Sequence, residues 1–466
     1  MTHTARDDVT ELLDRIHEVD GDVRSVSDVN PLALDEADTL DRELADGHRR
    51  GPLHGRAVLV KDNIDTAGLA TNAGSLALAD HPPTRDAALV QRLRAAGMVV
   101  LGKTNLSEWA NIRGTGSTSG WSGYGGLTRN PYALNRSAGG SSSGSGAAVG
   151  ARLAPFAVGT ETDGSISCPA AFNGCVGLKP TVGLVPTDGV IPIAWSQDSP
   201  GPMALTVRDA ASLLTVMTGS STEYADHARD RLLRGKRIGV PRNGAFWGYS
   251  APADAAAEEA LSVLAGAGAV IVDHTDLPGL DEFDDEQELA VMLAELGPGL
   301  ASYLATRPGA PQTLAEVVEF NRTHAEQELR WFGHDLLEKA LESEGPHSAA
   351  YAAARAGCLA AGRDGIDSVL REHRLDALVT PSYSPAMAID LVNGDAFRGG
   401  CTTPSAMAGY PILTVPAGLA QGLPVAVSFW AGAGSEGSLI EIGHGFEQAR
   451  DAHTGPLPAP TYPAFL

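Results

Sequence analysis

Short, fully apolar runs alternate along this chain with stretches whose apolar residues recur at helical spacing. Ala57-Val58-Leu59-Val60 has the pattern of a strand buried on both faces, and it ends on Lys61. From Asp86 to Ala96 the apolar residues Leu89, Val90 and Leu93 mark one face of a helix. Gly97 stops it, and Met98-Val99-Val100-Leu101 reads as the next strand. The unit recurs as strand Lys236 to Val240, helix Asp254 to Ala265 and strand Ala269 to Val272. Phe156-Ala157-Val158 is another apolar run, Ser145 to Ala151 predicts a helix start, and late strands are expected at Ala377-Leu378-Val379 and Pro424-Val425-Ala426-Val427. Ser435 to Ala449 predicts a closing helix, and Leu12, Leu13 and Ile16 share one face of a first helix from Val9 to Val19. Strands alternating with helices predict an α/β fold.

The acidic run Asp281-Glu282-Phe283-Asp284-Asp285-Glu286 reads as a solvated helix face.

At 466 residues and 43% hydrophobic, the chain can bury a large core. A formal net charge of −23 opposes nucleic acid and anionic membrane surfaces as partners. No apolar stretch is long enough to span a bilayer, and the first residues lack the apolar segment of a signal peptide. The 4 cysteines are unclustered, which fits a reducing compartment, so a cytoplasmic protein is expected. Cys168 and Cys175 read as small buried hydrophobes. Neither Cys-x-x-Cys nor His-Glu-x-x-His occurs, so no metal site is expected.

The candidate chemistry lies in two glycine-serine loops, Gly139-Gly140-Ser141-Ser142-Ser143-Gly144-Ser145 and Thr160-Glu161-Thr162-Asp163-Gly164-Ser165-Ile166. A serine nucleophile needs a group to take its proton and N–H donors to hold the oxyanion formed on attack. A tight turn at Thr162, Asp163 and Gly164 would aim backbone N–H groups beside the Ser165 hydroxyl. Lys61 at a buried strand end is a candidate base, because desolvation lowers an amine pKa and leaves it neutral.

Other readings fit parts of the pattern. Gly140-Ser141-Ser142-Ser143-Gly144 matches the Gly-x-Ser-x-Gly elbow, which would make Ser142 the nucleophile, but Asn130 to Arg136 is a poor preceding strand. A glycine-serine loop before a helix also suits phosphate, as in an ATP-binding small-molecule kinase. That reading leaves Lys61 and the Ser165 loop without a role. Lys61 alone would be an ordinary surface charge, and a non-catalytic binding protein is a further alternative.

The ordered set of segments resembles the amidase signature family. They are Val60-Lys61-Asp62-Asn63-Ile64-Asp65, Gly102 to Trp109, Arg129-Asn130-Pro131-Tyr132, the two serine loops, Gly174 to Thr181, Ser196-Gln197-Asp198, Ala408-Gly409-Tyr410-Pro411 and Val415-Pro416-Ala417-Gly418. The resemblance covers most of residues 50 to 450. It implies a mixed twisted sheet covered by helices on both sides in one domain over 51–466, with its core at 55–215, a helical segment at 1–50 before it, and a variable substrate-side region at about 280–350, the part least tied to the family's motifs, where Phe320-Asn321-Arg322 and Trp331-Phe332-Gly333 are candidates to line the substrate mouth.

By motif position the resemblance implies a Ser-cisSer-Lys triad of Ser165 as nucleophile, Ser141 as bridging serine and Lys61 as base. Thr162, Asp163 and Gly164 fall on the oxyanion loop, and Ser142, Gln197 and Asp198 are expected around it. The implied reaction hydrolyses a carboxamide of a small molecule or peptide through an acyl-enzyme, without metal or cofactor. Lys103 and Lys179 match family motifs and read as structural. Where the family commonly has Gly-Gly-Ser-Ile-Arg, this chain has Asp163-Gly164-Ser165-Ile166-Ser167, so Asp163 brings negative charge to the acyl site and Asp198 loses an arginine partner. That variant is most similar to the branch of peptide amidases and aryl acylamidases. The A subunit of a glutamine-dependent tRNA amidotransferase is the alternative within the family.

Overall fold

The computed structural model describes residues 4–229 and 233–466. Eleven strands form one sheet: β1 (Val26–Val29), β2 (Ala57–Lys61), β3 (Val99–Thr104), β4 (Phe156–Glu161), β5 (Val176–Lys179), β6 (Ser199–Ala204), β7 (Arg237–Val240), β8 (Val270–Asp273), β9 (Ala377–Pro381), β10 (Ile412–Ala420) and β11 (Leu423–Trp430). Their order across the sheet is β1-β3-β2-β4-β6-β5-β10-β11-β9-β7-β8. The sheet is mixed. β3, β2 and β4 run parallel, β6, β5, β10 and β11 pair antiparallel, and β9, β7 and β8 are parallel again.

The parallel strands are joined by helices, as the sequence pattern requires. Ala88–Ala95 lies between β2 and β3, and Ala251–Gly266 between β7 and β8. Helices cover both faces. Leu89, Val90, Leu93, Leu213, Leu214, Leu261, Leu264, Ile442 and Phe446 pack with the side chains of one sheet face, and Val9, Ile16, Leu40, Val149 and Ile166 with those of the other. The predicted first helix runs from Ala5 to Val23, and the closing one from Glu436 to Thr454.

Residues 5–45 contribute more than helices. β1 pairs antiparallel with β3 and forms one edge of the sheet, with Val29 opposite Gly102. The acidic run at 281–286 is not a helix face. It is an exposed turn that leads into the helix Glu286–Leu304, where carboxylates complement the positive end of the helix dipole.

β2 and β4 are parallel neighbours, with Val60 opposite Val158. Both therefore end at the same edge, and Lys61 arrives beside the turn that carries Thr162 to Ser165. Crevices outside the carboxyl ends of parallel strands are where open α/β sheets place ligands.

Candidate active site

Lys61 is completely buried. Its Nζ lies 2.9 Å from Ser141 Oγ, 2.8 Å from Thr160 Oγ1 and 3.3 Å from the Thr160 carbonyl. Burial pulls its pKa down to about 7, against the smaller upward pull of the Glu161 and Asp198 carboxylates. Asn63 Nδ2 donates to Thr160 Oγ1 at 3.0 Å, which fixes that hydroxyl from the other side.

The two serine loops meet at the end of β4. The Gly140–Ser141 peptide is cis. Ser142 N–H donates to the Ser165 carbonyl at 3.0 Å, and the Ser142 hydroxyl donates to the Thr160 carbonyl at 3.0 Å while accepting from the Thr160 N–H at 3.2 Å. Ser142 is thus buried and tied to the strand end, an arrangement unlike the exposed hydroxyl of a nucleophile elbow. A side chain at Gly140 would meet the hydroxyls of Ser107 and Ser119, so only glycine lets this loop sit so close to its neighbours.

The Ser165 turn is held from both ends. Glu161, at the end of β4, accepts from the N–H groups of Ile166 at 2.7 Å and Ser167 at 2.8 Å and from the Ser167 hydroxyl at 3.0 Å, binding the start of the helix Ser167–Asn173. Burial raises the pKa of this carboxyl, opposed by Lys179 and by these hydrogen bonds. Gly164 has φ of +77°, and a Cβ there would strike the Tyr383 hydroxyl. Among the described residues, no backbone or side-chain acceptor pairs with the N–H groups of Thr162, Asp163 or Gly164.

Asp198 is not left alone by the missing arginine. One oxygen accepts from the Thr162 hydroxyl at 2.6 Å and the other from the N–H groups of Ile193 at 2.9 Å and Ala194 at 3.0 Å. Burial pushes its pKa up to about 6. Gln197 bridges the Thr162 carbonyl at 3.4 Å and Glu288 Oε1 at 2.7 Å, and the Thr403 hydroxyl donates to Asp163 Oδ2 at 2.8 Å. Burial raises both Asp163 and Glu288, and the proximity of the two carboxyls raises Glu288 further. The negative charge expected of Asp163 is thereby tempered by its surroundings.

A cavity of about 290 Å³ opens on Ser165, with Gly140, Thr162, Asp163 and Gly164 at its polar end and Ile112, Ile193, Leu289, Met292, Leu336 and Phe397 along its walls. Region 280–350 contributes through Leu289, Met292 and Leu336, not through the segments expected to form the mouth. Phe320 stacks on His324, Asn321 is buried against His334, and Phe332 packs edge-on against Trp121 beside Arg113. Lys103 and Lys179 are structural. Lys103 donates to the Ile64 carbonyl and to Thr71 Oγ1 at 2.9 Å, and Lys179 to the Tyr410 carbonyl.

The sequence alone assigns no role to Thr160, Glu161 or Glu288. Thr160 and Glu161 stand within the quoted motif, and strand alternation beside Lys61 was a usable signal. Glu288 carried none, because its role arises from a helix more than a hundred residues away in sequence.

The family model for amidases matches residues 7–440. The chain is a member of the amidase signature family. Its fold superposes on the native peptide amidase of Stenotrophomonas maltophilia with a TM-score of 0.92 and 46% identity, covering 98% of this chain and 95% of that one. A putative amidase of Arthroderma benhamiae is 35% identical over 94% of this chain and 78% of its own length. The A subunit of the glutamyl-tRNA(Gln) amidotransferase of Carboxydothermus hydrogenoformans is 35% identical over 94% of this chain and 93% of its own. This amidase therefore hydrolyses amide bonds on a single-domain scaffold. Among the described residues, no helix is long and apolar enough to cross a membrane.

Proposed function

We propose that this amidase removes the terminal amide nitrogen of C-terminally amidated peptides, with Ser165 as nucleophile. The carrying observation is the buried contact between Lys61 and Ser141 at the strand end beside the Ser165 turn. A neutral amine has two N–H bonds and one lone pair. With Thr160 offering its carbonyl and hydroxyl as acceptors, the lone pair of Lys61 is directed to the Ser141 hydroxyl proton.

Ser165 Oγ attacks the carboxamide carbon as its proton passes to Ser141 and the Ser141 proton to Lys61. The oxyanion is met by the unpaired N–H groups of Thr162, Asp163 and Gly164, and Gln197 and Asp198 hold that loop by its Thr162 groups. Return of the proton through Ser141 to the nitrogen breaks the C–N bond and releases ammonia. Water then cleaves the ester, with the same groups acting in reverse, and the product is a carboxylic acid.

The apolar walls of the cavity suit a hydrophobic side chain next to the amide, and the greater likeness to a peptide amidase supports the same substrate class. Glutamine, the ammonia source implied by a tRNA amidotransferase subunit, would leave its polar groups against Ile193, Leu289 and Met292. All 4 cysteines are free and buried, which supports a reducing, cytoplasmic setting.

The test is mass spectrometry on a mixture of peptide amides, aliphatic amides, anilides and free glutamine, incubated with wild type and with Ser165→Ala. Peptide amides with apolar terminal residues should be converted to acids by the wild type alone. Preferential cleavage of anilides or glutamine would overturn the substrate assignment, and turnover by Ser165→Ala would overturn the nucleophile.

A further inference from the structure

A second cavity, of about 470 Å³, lies behind the wall of the catalytic one. The segments around 383 and 397 form that wall. Tyr383 and Phe397 line the catalytic cavity, whereas their neighbours Ser384 and Arg398 line the second. Arg136 faces the same space as Arg398, and Tyr249, Met387 and Leu423 complete the part used below.

This cavity is electrostatically unlike the rest of the molecule. The chain carries 57 acidic and 34 basic residues, so a guanidinium would ordinarily find a carboxylate. Among the described residues, neither Arg136 nor Arg398 forms an ion pair. Arg136 Nε and the Tyr249 hydroxyl are buried with no hydrogen-bond partner. Asp254, the acid at the start of the adjoining helix Ala251–Gly266, is occupied by the Gly248 N–H at 3.1 Å. Arg398 is exposed and Arg136 half-buried, so water reaches both guanidiniums, but the buried Arg136 Nε and Tyr249 hydroxyl are two donors at one cavity that an acceptor anion would satisfy.

We propose that this cavity binds an organic carboxylate, with its charged end between Arg136 and Arg398 and an apolar body against Met387 and Leu423. Arginine forks match a carboxylate in two parallel hydrogen bonds, and the Tyr249 hydroxyl supplies a further donor. The apolar walls and the volume exceed what inorganic phosphate would use. The carboxylate reaches the site either as a free acid or as a distal group on an amide substrate.

Calorimetric titration of the full chain with phenylacetate tests the proposal, with inorganic phosphate as comparison. Arg136→Gln and Arg398→Gln should each weaken phenylacetate binding by at least about tenfold with unchanged melting. Met292→Trp, which fills the catalytic cavity, should leave it intact. No binding, equal binding of phosphate, or loss in Met292→Trp with retention in both arginine variants would overturn the assignment. Comparing kcat/KM for neutral and carboxylate-bearing peptide amides separates the two sources. A preference for the acidic amide that disappears in Arg136→Gln identifies the carboxylate as part of the substrate, and its absence alongside phenylacetate binding identifies a free acid.

Discussion

An amine at the end of a buried strand has no water to solvate its charge, and Lys61 responds by giving up its proton near pH 7. In the proposed mechanism Lys61 is protonated below that value and cannot act as the base, so activity should fall on the acid side. The unfolded chain holds this proton up to the ordinary 10.5, so between about 7 and 10.5 the unfolded state binds more protons and the group's contribution to stability rises with pH. The Asp198 carboxylate pulls the Lys61 pKa upward. Asp198→Asn should therefore move the acid limb of the kcat/KM profile to lower pH, by roughly half a unit or more. A pH–rate series on the two proteins checks this, and a limb that stays in place or moves upward would remove Asp198 from the account. At this scale the sequence singled out Lys61, Ser141 and Ser165 because the proposed chemistry imposes residue type there, and the fold brings Lys61 within hydrogen-bond reach of Ser141. The sequence was uninformative for Glu288, whose partners come together only in the folded chain.

Ser142 links two elements, the serine loop and the end of β4. Its hydroxyl satisfies both the N–H and the carbonyl of Thr160. Ser142→Ala leaves both groups buried without that partner, which should cost about 1–3 kcal/mol and displace Thr160 from Lys61. Denaturant unfolding should show that loss, together with a kcat lowered more than KM is raised. An unchanged kcat would mean that the docking does not set the geometry of the site. Apolar patterning identified β2, β3 and β7 as buried strands with helices between them, and it also marked β8, whose run Val270-Ile271-Val272 is apolar although it lies at a half-exposed edge. It did not reveal β1. Val26-Ser27-Asp28-Val29 lies at a half-exposed edge, and its pairing with β3 leaves no apolar run. The acidic run at 281–286 misled for a related reason, since charge marks exposure and does not separate a turn from a helix.

The whole molecule places the proposed site where the central parallel strands end, and the helix Glu286–Leu304 walls its cavity through Leu289 and Met292. The N-terminal segment belongs to this construction, since β1 covers the edge of β3 while Val9, Ile16, Ala33, Ala37 and Leu40 join the core on that face. We propose that residues 4–50 do not fold apart from the remainder. Removing residues 1–45 should give a protein that aggregates or melts without cooperativity, checked by calorimetry and gel filtration. A truncated chain with a native melting curve would restore the segment as a dispensable prelude.

The central claim is covalent: the acyl group passes through Ser165, and Lys61 drives the transfer through Ser141. The most direct measurement is acid quenching of the enzyme during turnover of a slowly hydrolysed peptide ester, followed by digestion and peptide mass analysis. The account predicts an acyl adduct on Ser165 in the wild type and none in Lys61→Met. An adduct on Ser141 or Ser142, or equal acylation of Ser165 without Lys61, would contradict it.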